Sequence, residues 1–160
     1  IASAKQGAPP KHKFLCADVT KSPTGVEKEF THAVFLLSLQ NIEEPVAALS
    51  FAAEHLQSGG RCILVLNHPC FRIPRQSSWQ LDEKNKILYR RLDRYLAPLK
   101  IPIAAHPSKK DSATTWSFHH PLSEISSWLK HEEFENVRTL DVPGPSPLIL
   151  ADKPAARSME

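Results

Sequence analysis

The stretch EHLQSGGRCILVLNHP, residues 54–69 of the chain, has the clearest pattern of secondary structure in the sequence. It contains a helix end, a turn at Gly59 and Gly60, an apolar run from Cys62 to Leu66, and a polar segment from Asn67 to Pro69. The two glycines suit the positive φ that closes a helix. The unbroken apolar run is typical of a parallel strand covered on both faces. Since ligands of such sheets bind beyond the carboxyl ends of the strands, the polar segment is predicted to face a ligand.

Composition narrows the class of protein. The 160 residues, 41% of them hydrophobic, predict one domain with its own core. A net charge of +3 is explained by a solvated surface, so nucleic acid is disfavoured as a partner. Cys16, Cys62 and Cys70 are odd in number, which favours reduced thiols in a cytoplasmic protein. No apolar run reaches the length of a membrane span, so no membrane partner is predicted.

A strand–helix–strand unit surrounds the central stretch. His12 to Thr20 and Phe30 to Leu39 are predicted strands, and a helix is expected to begin near Pro45, where a missing N–H costs little. We predict that the strand from Arg61 to Leu66 is central and parallel to the strand from Ala33 to Leu39, as in a crossover unit. The fold class is therefore α/β.

The second half of the chain predicts an amphipathic helix from Asp82 to Leu99, because apolar residues recur there at helical spacing. Its basic residues favour a solvated surface over nucleic-acid contact. Thr114 to His120 alternates like a strand, and Pro121 opens a helix that ends near Lys130. Val137 to Asp141 is ambiguous, and Pro147 to Ala151 is a last short strand. We predict a single domain over residues 1–154, with a helical lid near 70–112 and a tail over 155–160.

Several segments together resemble a known family. They are Phe14 to Val19, Phe30 to Ile42, Ala47 to Arg61 with its Leu-x-x-Gly-Gly-Arg ending, Thr115 to Pro121, and Pro147 to Ala151. In this order they resemble the C-terminal two-thirds of a class I S-adenosylmethionine-dependent methyltransferase of the type 11/12-like, small-molecule group. The resemblance implies a Rossmann-like sheet with strand order 3-2-1-4-5-7-6 and S-adenosylmethionine as the cofactor.

The resemblance also implies roles for residues at the strand ends. The cofactor-binding candidates are Asp18, Val19, Leu36, Leu37 and Gln40. The candidates for a catalytic base are His68 and His120, and those for substrate binding are Asn67, Arg72 and His119. Each histidine taken singly also fits a structural role in a loop or on the surface. No cysteine or histidine pair has the spacing of a structural zinc site, so no metal is predicted.

Two departures from the family bear on cofactor binding. No Gly-x-Gly motif occurs in the sequence, and the acidic residue that ends the family's second strand has no counterpart. We expect this chain to begin near the end of the helix after that strand, and to bind S-adenosylmethionine weakly by itself. The strand from Phe14 to Ala17 would then pair with the Ala33 strand, with a neighbouring chain, or with a separately supplied segment. An unpaired sheet edge of this kind allows self-association.

Three functions remain open from the sequence. The first is methyl transfer to a small molecule by in-line displacement, for which the protein supplies alignment and a dry pocket. The second is a non-catalytic, methyltransferase-like interaction domain. The third is methylation of a nucleic-acid base, because Asn67 to Phe71 resembles an Asn-Pro-Pro-Tyr/Phe motif, although the spacing differs by one residue and it follows the fifth strand rather than the fourth.

Overall fold

A computed structural model describes residues 5–106, 108, 111–141 and 147–155. Its strands are β1 (Phe30–Leu36), β2 (Leu56–Val65), β3 (Ser77–Asp82), β4 (Ile87–Leu92), β5 (Leu99–Ala104), β6 (Thr114–His119), β7 (Glu135–Asp141) and β8 (Pro147–Asp152). Its α-helices are α1 (Pro45–His55) and α2 (Leu122–His131), and short 3₁₀ helices cover Val19–Lys21 and Leu39–Asn41.

The predicted crossover unit is confirmed. β1 and β2 pair in parallel, with Ala33 opposite Cys62 and Leu36 opposite Val65. α1 connects them, and it begins with Pro45 in its first turn, as predicted. The α/β fold class is therefore correct, and β2 lies inside the sheet.

The last two strands complete a four-stranded sheet in the order β1-β2-β8-β7. β8 is antiparallel to β2, with Ile63 opposite Leu150, and β7 is antiparallel to β8. These four strands match the 4-5-7-6 part of the order that the family resemblance implies. The predicted strand from Pro147 to Ala151 is confirmed, and the ambiguous segment before it forms β7.

One face of this sheet carries the core. Its central side chains, Leu49 on α1, Leu64 on β2, Leu129 on α2 and Ile149 on β8, have no exposed surface. They belong to one apolar cluster, so both helices pack on the same sheet through it. Burial of side chains of this size contributes about 1.5–3 kcal/mol each.

The end of α1 corrects the predicted role of the glycine pair. The helix ends at His55, and β2 begins at the next residue, so both glycines lie within the strand. Gly59 has the positive φ expected of it, at 75°, whereas Gly60 is not in that region. The Lys153 ammonium group instead caps the helix, donating to the carbonyl oxygens of Ala53 at 2.8 Å and Leu56 at 2.7 Å.

The predicted helix from Asp82 to Leu99 and the helical lid are wrong. β3 and β4 form one antiparallel hairpin, and β5 and β6 form another. Asp82 favours the hairpin, because its carboxylate accepts hydrogen bonds from the backbone N–H groups of Lys84 and Asn85, both at 3.0 Å. Such side-chain contacts stabilise a turn in competition with a helix.

The predicted strand from His12 to Thr20 is also wrong. This segment has no strand structure, and Asp18 begins the short 3₁₀ helix Val19–Lys21. The Asp18 carboxylate accepts hydrogen bonds from the backbone N–H of Thr20 at 3.0 Å and from its hydroxyl at 2.7 Å. Within the described residues, no strand pairs with the outer edge of β1.

The helix α2 and the strand β6 agree closely with their predictions, Pro121 to Lys130 and Thr114 to His120. α2 buries Ile125 and Leu129 and exposes Lys130, while Glu124 is half-buried. Because β6 leads directly into α2, the residues between them lie where the second hairpin meets the sheet.

Candidate functional site

A cavity of about 580 Å³ opens beyond the carboxyl ends of β1 and β2. The segments after these strands form one side, and the β5–β6 hairpin and α2 contribute the rest. Its polar lining residues are Gln40, Asn41, Asn67, Arg72, Thr115, Ser117, His119 and His120. Cavities of this size hold small organic ligands.

The turn after β1 forms the first part of the wall. Leu37 has a φ of 49°, a left-handed conformation that is strained for a branched side chain. The N–H of Leu37 donates to the carbonyl oxygen of Val65 at 2.8 Å, and the side-chain amide of Asn41 donates to the carbonyl oxygen of Leu37 at 3.1 Å. These bonds fix the backbone where the strand ends.

Gln40 follows in the same turn and lines the cavity. Its side-chain oxygen Oε1 is buried, and it accepts no hydrogen bond from any residue that the structure describes. A buried acceptor without a donor costs about 1–3 kcal/mol, so Oε1 is a candidate acceptor for a donor on a bound molecule.

The segment after β2 forms the next part of the wall. Asn67 and Arg72 line the cavity, but His68 does not. The ring nitrogen Nδ1 of His68 accepts a hydrogen bond from the N–H of Cys70 at 3.0 Å, and its carbonyl oxygen accepts one from the N–H of Arg72 at 2.9 Å. His68 therefore holds the loop that carries Arg72.

His119 is a buried residue at the end of β6, with 5% of its surface exposed. A carbonyl oxygen can only accept, so the Nε2–H of its ring donates to the backbone oxygen of Tyr95, at 2.8 Å. Burial lowers the pKa of His119, which favours the neutral ring. This bond ties the end of β6 to the segment between β4 and β5.

His120 lies between β6 and α2, with its ring nitrogen Nδ1 3.0 Å from the Oε2 atom of Glu124. The carboxylate accepts this hydrogen bond, and in the neutral ring Nε2 is then the nitrogen with a free lone pair. The ring packs edge-on against Trp128, with the two centroids 4.6 Å apart. A histidine oriented in this way by a carboxylate can accept a proton.

The structure brings together six of the residues that the sequence singled out. They are Leu37, Gln40, Asn67, Arg72, His119 and His120. Four others, Asp18, Val19, Leu36 and His68, do not line this cavity. The individual roles stay predictions.

Sequence reasoning missed Glu124 and Trp128. They follow His120 at intervals of four residues, which places all three along one side of the start of α2. This spacing is the available signal, but it crosses the boundary between the predicted strand, which contains His120, and the predicted helix, which contains the other two.

Among the described residues, no group of three or more histidine, cysteine, aspartate or glutamate side chains could hold a metal ion. Within the same part of the chain, no helix has the length and apolar character needed to cross a membrane.

Comparisons with known proteins bear on the fold. No family model matches the sequence, and no curated protein is significantly similar to it. The structure is similar to that of an S-adenosylmethionine-dependent methyltransferase from Mesorhizobium loti, with 19% identity, a TM-score of 0.72, and coverage of 95% of this chain and 75% of the other.

Two further solved structures agree. An S-adenosylmethionine-dependent methyltransferase from Clostridium acetobutylicum has 16% identity and a TM-score of 0.60, and the match covers 96% of this chain and 69% of the other. The glycopeptide N-methyltransferase MtfA, complexed with S-adenosylhomocysteine, has 18% identity and a TM-score of 0.53, with coverage of 86% and 59%. The chain therefore has the class I methyltransferase fold.

Proposed function

We propose that this chain is part of an S-adenosylmethionine-dependent methyltransferase that acts on a small molecule. The observation that carries the proposal is a cavity at the carboxyl ends of β1 and β2, in a sheet whose antiparallel β8 lies next to β2. In open α/β sheets this is the end at which ligands bind. S-adenosylmethionine, when bound, supplies a methyl group that is already activated for transfer.

The turn after β1 fits a role in holding this cofactor. Gln40 offers a buried acceptor that lacks a donor in the described part of the chain, and the cofactor carries amino groups that can donate. Leu37 lines the same cavity with its backbone held in a fixed, strained turn. Asp18 caps a 3₁₀ helix in this structure, so its predicted cofactor contact receives no support from this geometry.

His120 is the proposed general base. Its Nδ1–H bond to Glu124 orients the ring and leaves Nε2 to accept a proton from the methyl acceptor. Trp128 packs against the ring and, with Leu39 and Ile125, gives the cavity an apolar wall that limits the access of water. Alignment in a dry cavity is the main contribution that a protein makes to this class of reaction.

The test is isothermal titration of the protein, as the cell produces it, with S-adenosylmethionine. We expect binding, and we expect Gln40→Leu to weaken it about tenfold because an acceptor is lost. Gln76→Leu is the matched control, since that residue does not line the cavity. Absence of cofactor binding would refute the proposal and favour the non-catalytic interaction domain.

A further inference from the structure

The described lining of the cavity carries positive charge and no negative charge. Among its described lining residues, only Arg72 carries a permanent charge, and no carboxylate lines it. Arg72 is exposed at the cavity and forms none of the ion pairs found among the described residues. An unpaired guanidinium group at a cavity favours a carboxylate, which it can bind through two parallel hydrogen bonds.

A second polar feature is the His120–Glu124 pair. The carboxylate of Glu124 is engaged with Nδ1 of His120, so the nitrogen left to bind a ligand is Nε2. A neutral ring nitrogen of this kind accepts a hydrogen bond, and the partner it requires is an O–H or N–H donor. An ammonium group would also donate, but the cavity offers no carboxylate of its own to neutralise it.

The remaining lining side chains are mostly apolar. They include Leu39, Leu66, Ile103, Phe118, Ile125 and Trp128. Two of these are aromatic, so the wall suits a flat or apolar body between two polar ends.

We propose that the second ligand of this cavity, the methyl acceptor, is a small apolar hydroxy acid. Its carboxylate binds Arg72, its hydroxyl donates to Nε2 of His120, and its body packs against the apolar wall. The identification of this ligand as the methyl acceptor rests on the proposed function, but the predicted binding does not depend on the cofactor.

The probes are three molecules with one common body. They are 3-(4-hydroxyphenyl)propanoate, its primary amide, and tyramine, which replaces the anion with a cation. Calorimetry or equilibrium dialysis without cofactor is expected to show the acid binding at least tenfold more tightly than the amide, with tyramine weakest. A fourth probe, 3-phenylpropanoate, lacks the hydroxyl and is expected to lose at least threefold in affinity.

Variants test which residue is responsible for each binding preference. Arg72→Gln is expected to abolish the difference between acid and amide. Arg75→Gln is the matched control, because Arg75 is an exposed arginine of the same loop that does not line the cavity. His120→Phe is expected to abolish the difference made by the hydroxyl while the preference for the acid remains.

The outcomes separate the two proposals. Equal binding of acid, amide and tyramine, or no binding of any of them, overturns the inference even if S-adenosylmethionine binds. If Arg72→Gln weakens binding of S-adenosylmethionine and not of the acid, Arg72 belongs to the cofactor, and the inference is also overturned. A clear preference for the acid without any cofactor binding supports the hydroxy-acid site and overturns the proposed methyl transfer.

Discussion

The four-stranded sheet and the β3–β4 hairpin are both built from strands, but only the sheet has a core behind it. In the sheet, Leu64 has no exposed surface, because it lies in the apolar cluster that includes α1 and α2. In the hairpin, Leu81 and Leu88 lie opposite each other, and 57% and 63% of their surfaces stay exposed. A two-stranded hairpin is at most marginally stable alone, so other contacts must hold it.

Those contacts are polar and lie at the base of the hairpin. The guanidinium group of Arg90 donates to the hydroxyl of Ser77, at 2.8 Å, and to the carbonyl oxygen of Phe71. The N–H of Asp93 donates to the carbonyl oxygen of Gln76 at 2.8 Å. The difference suggests that the sheet determines global stability, whereas the hairpin can open locally at lower cost.

The largest difference is expected from leucine truncation. Leu64→Ala should lower the free energy of unfolding by about 2–5 kcal/mol, because it creates a cavity in the core. Leu88→Ala should lower it by less than about 1 kcal/mol, because only a cross-strand contact is lost. Urea denaturation followed by circular dichroism measures both, and equal losses would contradict the contrast between sheet and hairpin.

A glycine substitution tests how closely the sheet is packed. A Cβ atom at Gly60 would lie 2.9 Å from the carbonyl oxygen of Gln57 and 3.2 Å from that of Phe30. Gly60→Ala should therefore cost about 2–3 kcal/mol, since both neighbours are backbone atoms. Gly59→Ala is the control, because it meets open space and should cost only the strain of its φ, about 1 kcal/mol. A larger loss for Gly59→Ala in urea denaturation would refute this explanation.

In the turn of the β3–β4 hairpin, a substitution to glycine should increase stability rather than decrease it. Lys86 has a φ of 56°, which costs a lysine more than a glycine. Lys86→Gly should therefore stabilise the hairpin, by up to about 1 kcal/mol after the entropy of glycine is subtracted. Lys84→Gly is the comparison. Because Lys84 has no positive φ, this substitution should destabilise the hairpin. Hydrogen exchange of the hairpin amides measures both, and destabilisation by Lys86→Gly would contradict the prediction.

The smallest effect at neutral pH concerns two titrating groups, one on β6 outside the sheet and one on β8 within it. Burial lowers the pKa of His119 below 6.5, so its contribution to stability is present above pH 6.5 and is lost as the pH falls through the lowered pKa. A hydrogen bond from Arg61, at 2.6 Å, lowers the pKa of Asp152 below 3.8, so its contribution is lost only at still lower pH.

Melting temperatures recorded from pH 8 to pH 3 test this order. His119→Gln should remove the decrease that begins near pH 6.5, and Asp152→Asn should remove only the decrease below pH 3.8. If Asp152→Asn altered the upper part of the profile, the two groups would not act independently, and the assignment would be wrong.

The sequence predicts β1, β2 and β8 well because each contains a run of apolar residues, whereas β7 has no such run and its segment is ambiguous. The run from Cys62 to Leu66 has the composition of a buried strand whichever neighbours it meets, and its parallel pairing with β1 is confirmed. The segment from Asp82 to Leu99 has leucines at helical spacing, yet it begins with a hairpin. Spacing alone did not show that Asp82 would bind the N–H groups of the next turn.

The error at residues 12–20 has a different cause. A strand is stable only when a neighbour accepts its hydrogen bonds, and the described residues provide none for this segment. The Asp18 side chain instead accepts a hydrogen bond from the N–H of Thr20 in the next turn. An acidic residue after an apolar run therefore did not indicate the end of a strand here.

The sequence predicted the location of the site better than it predicted the contacts within the site. Parallel strands end at the same edge, which is why Leu37, Gln40, Asn67 and Arg72 lie around one cavity. The bond between His120 and Glu124 depends on the meeting of β6 and α2, and no pattern within either element indicates it.

The order of strands also affects how the chain folds as it is synthesised. β8 follows the other strands in sequence, but it lies between β2 and β7, and β7 joins the sheet only through it. Since synthesis proceeds from the N-terminus at about 5–20 residues per second, the ribosome must release the chain as far as Asp152 before these strands can assemble. A nascent chain that stopped before Pro147 would leave one edge of β2 unpaired and β7 without a partner, and it would be exposed to aggregation until synthesis resumed.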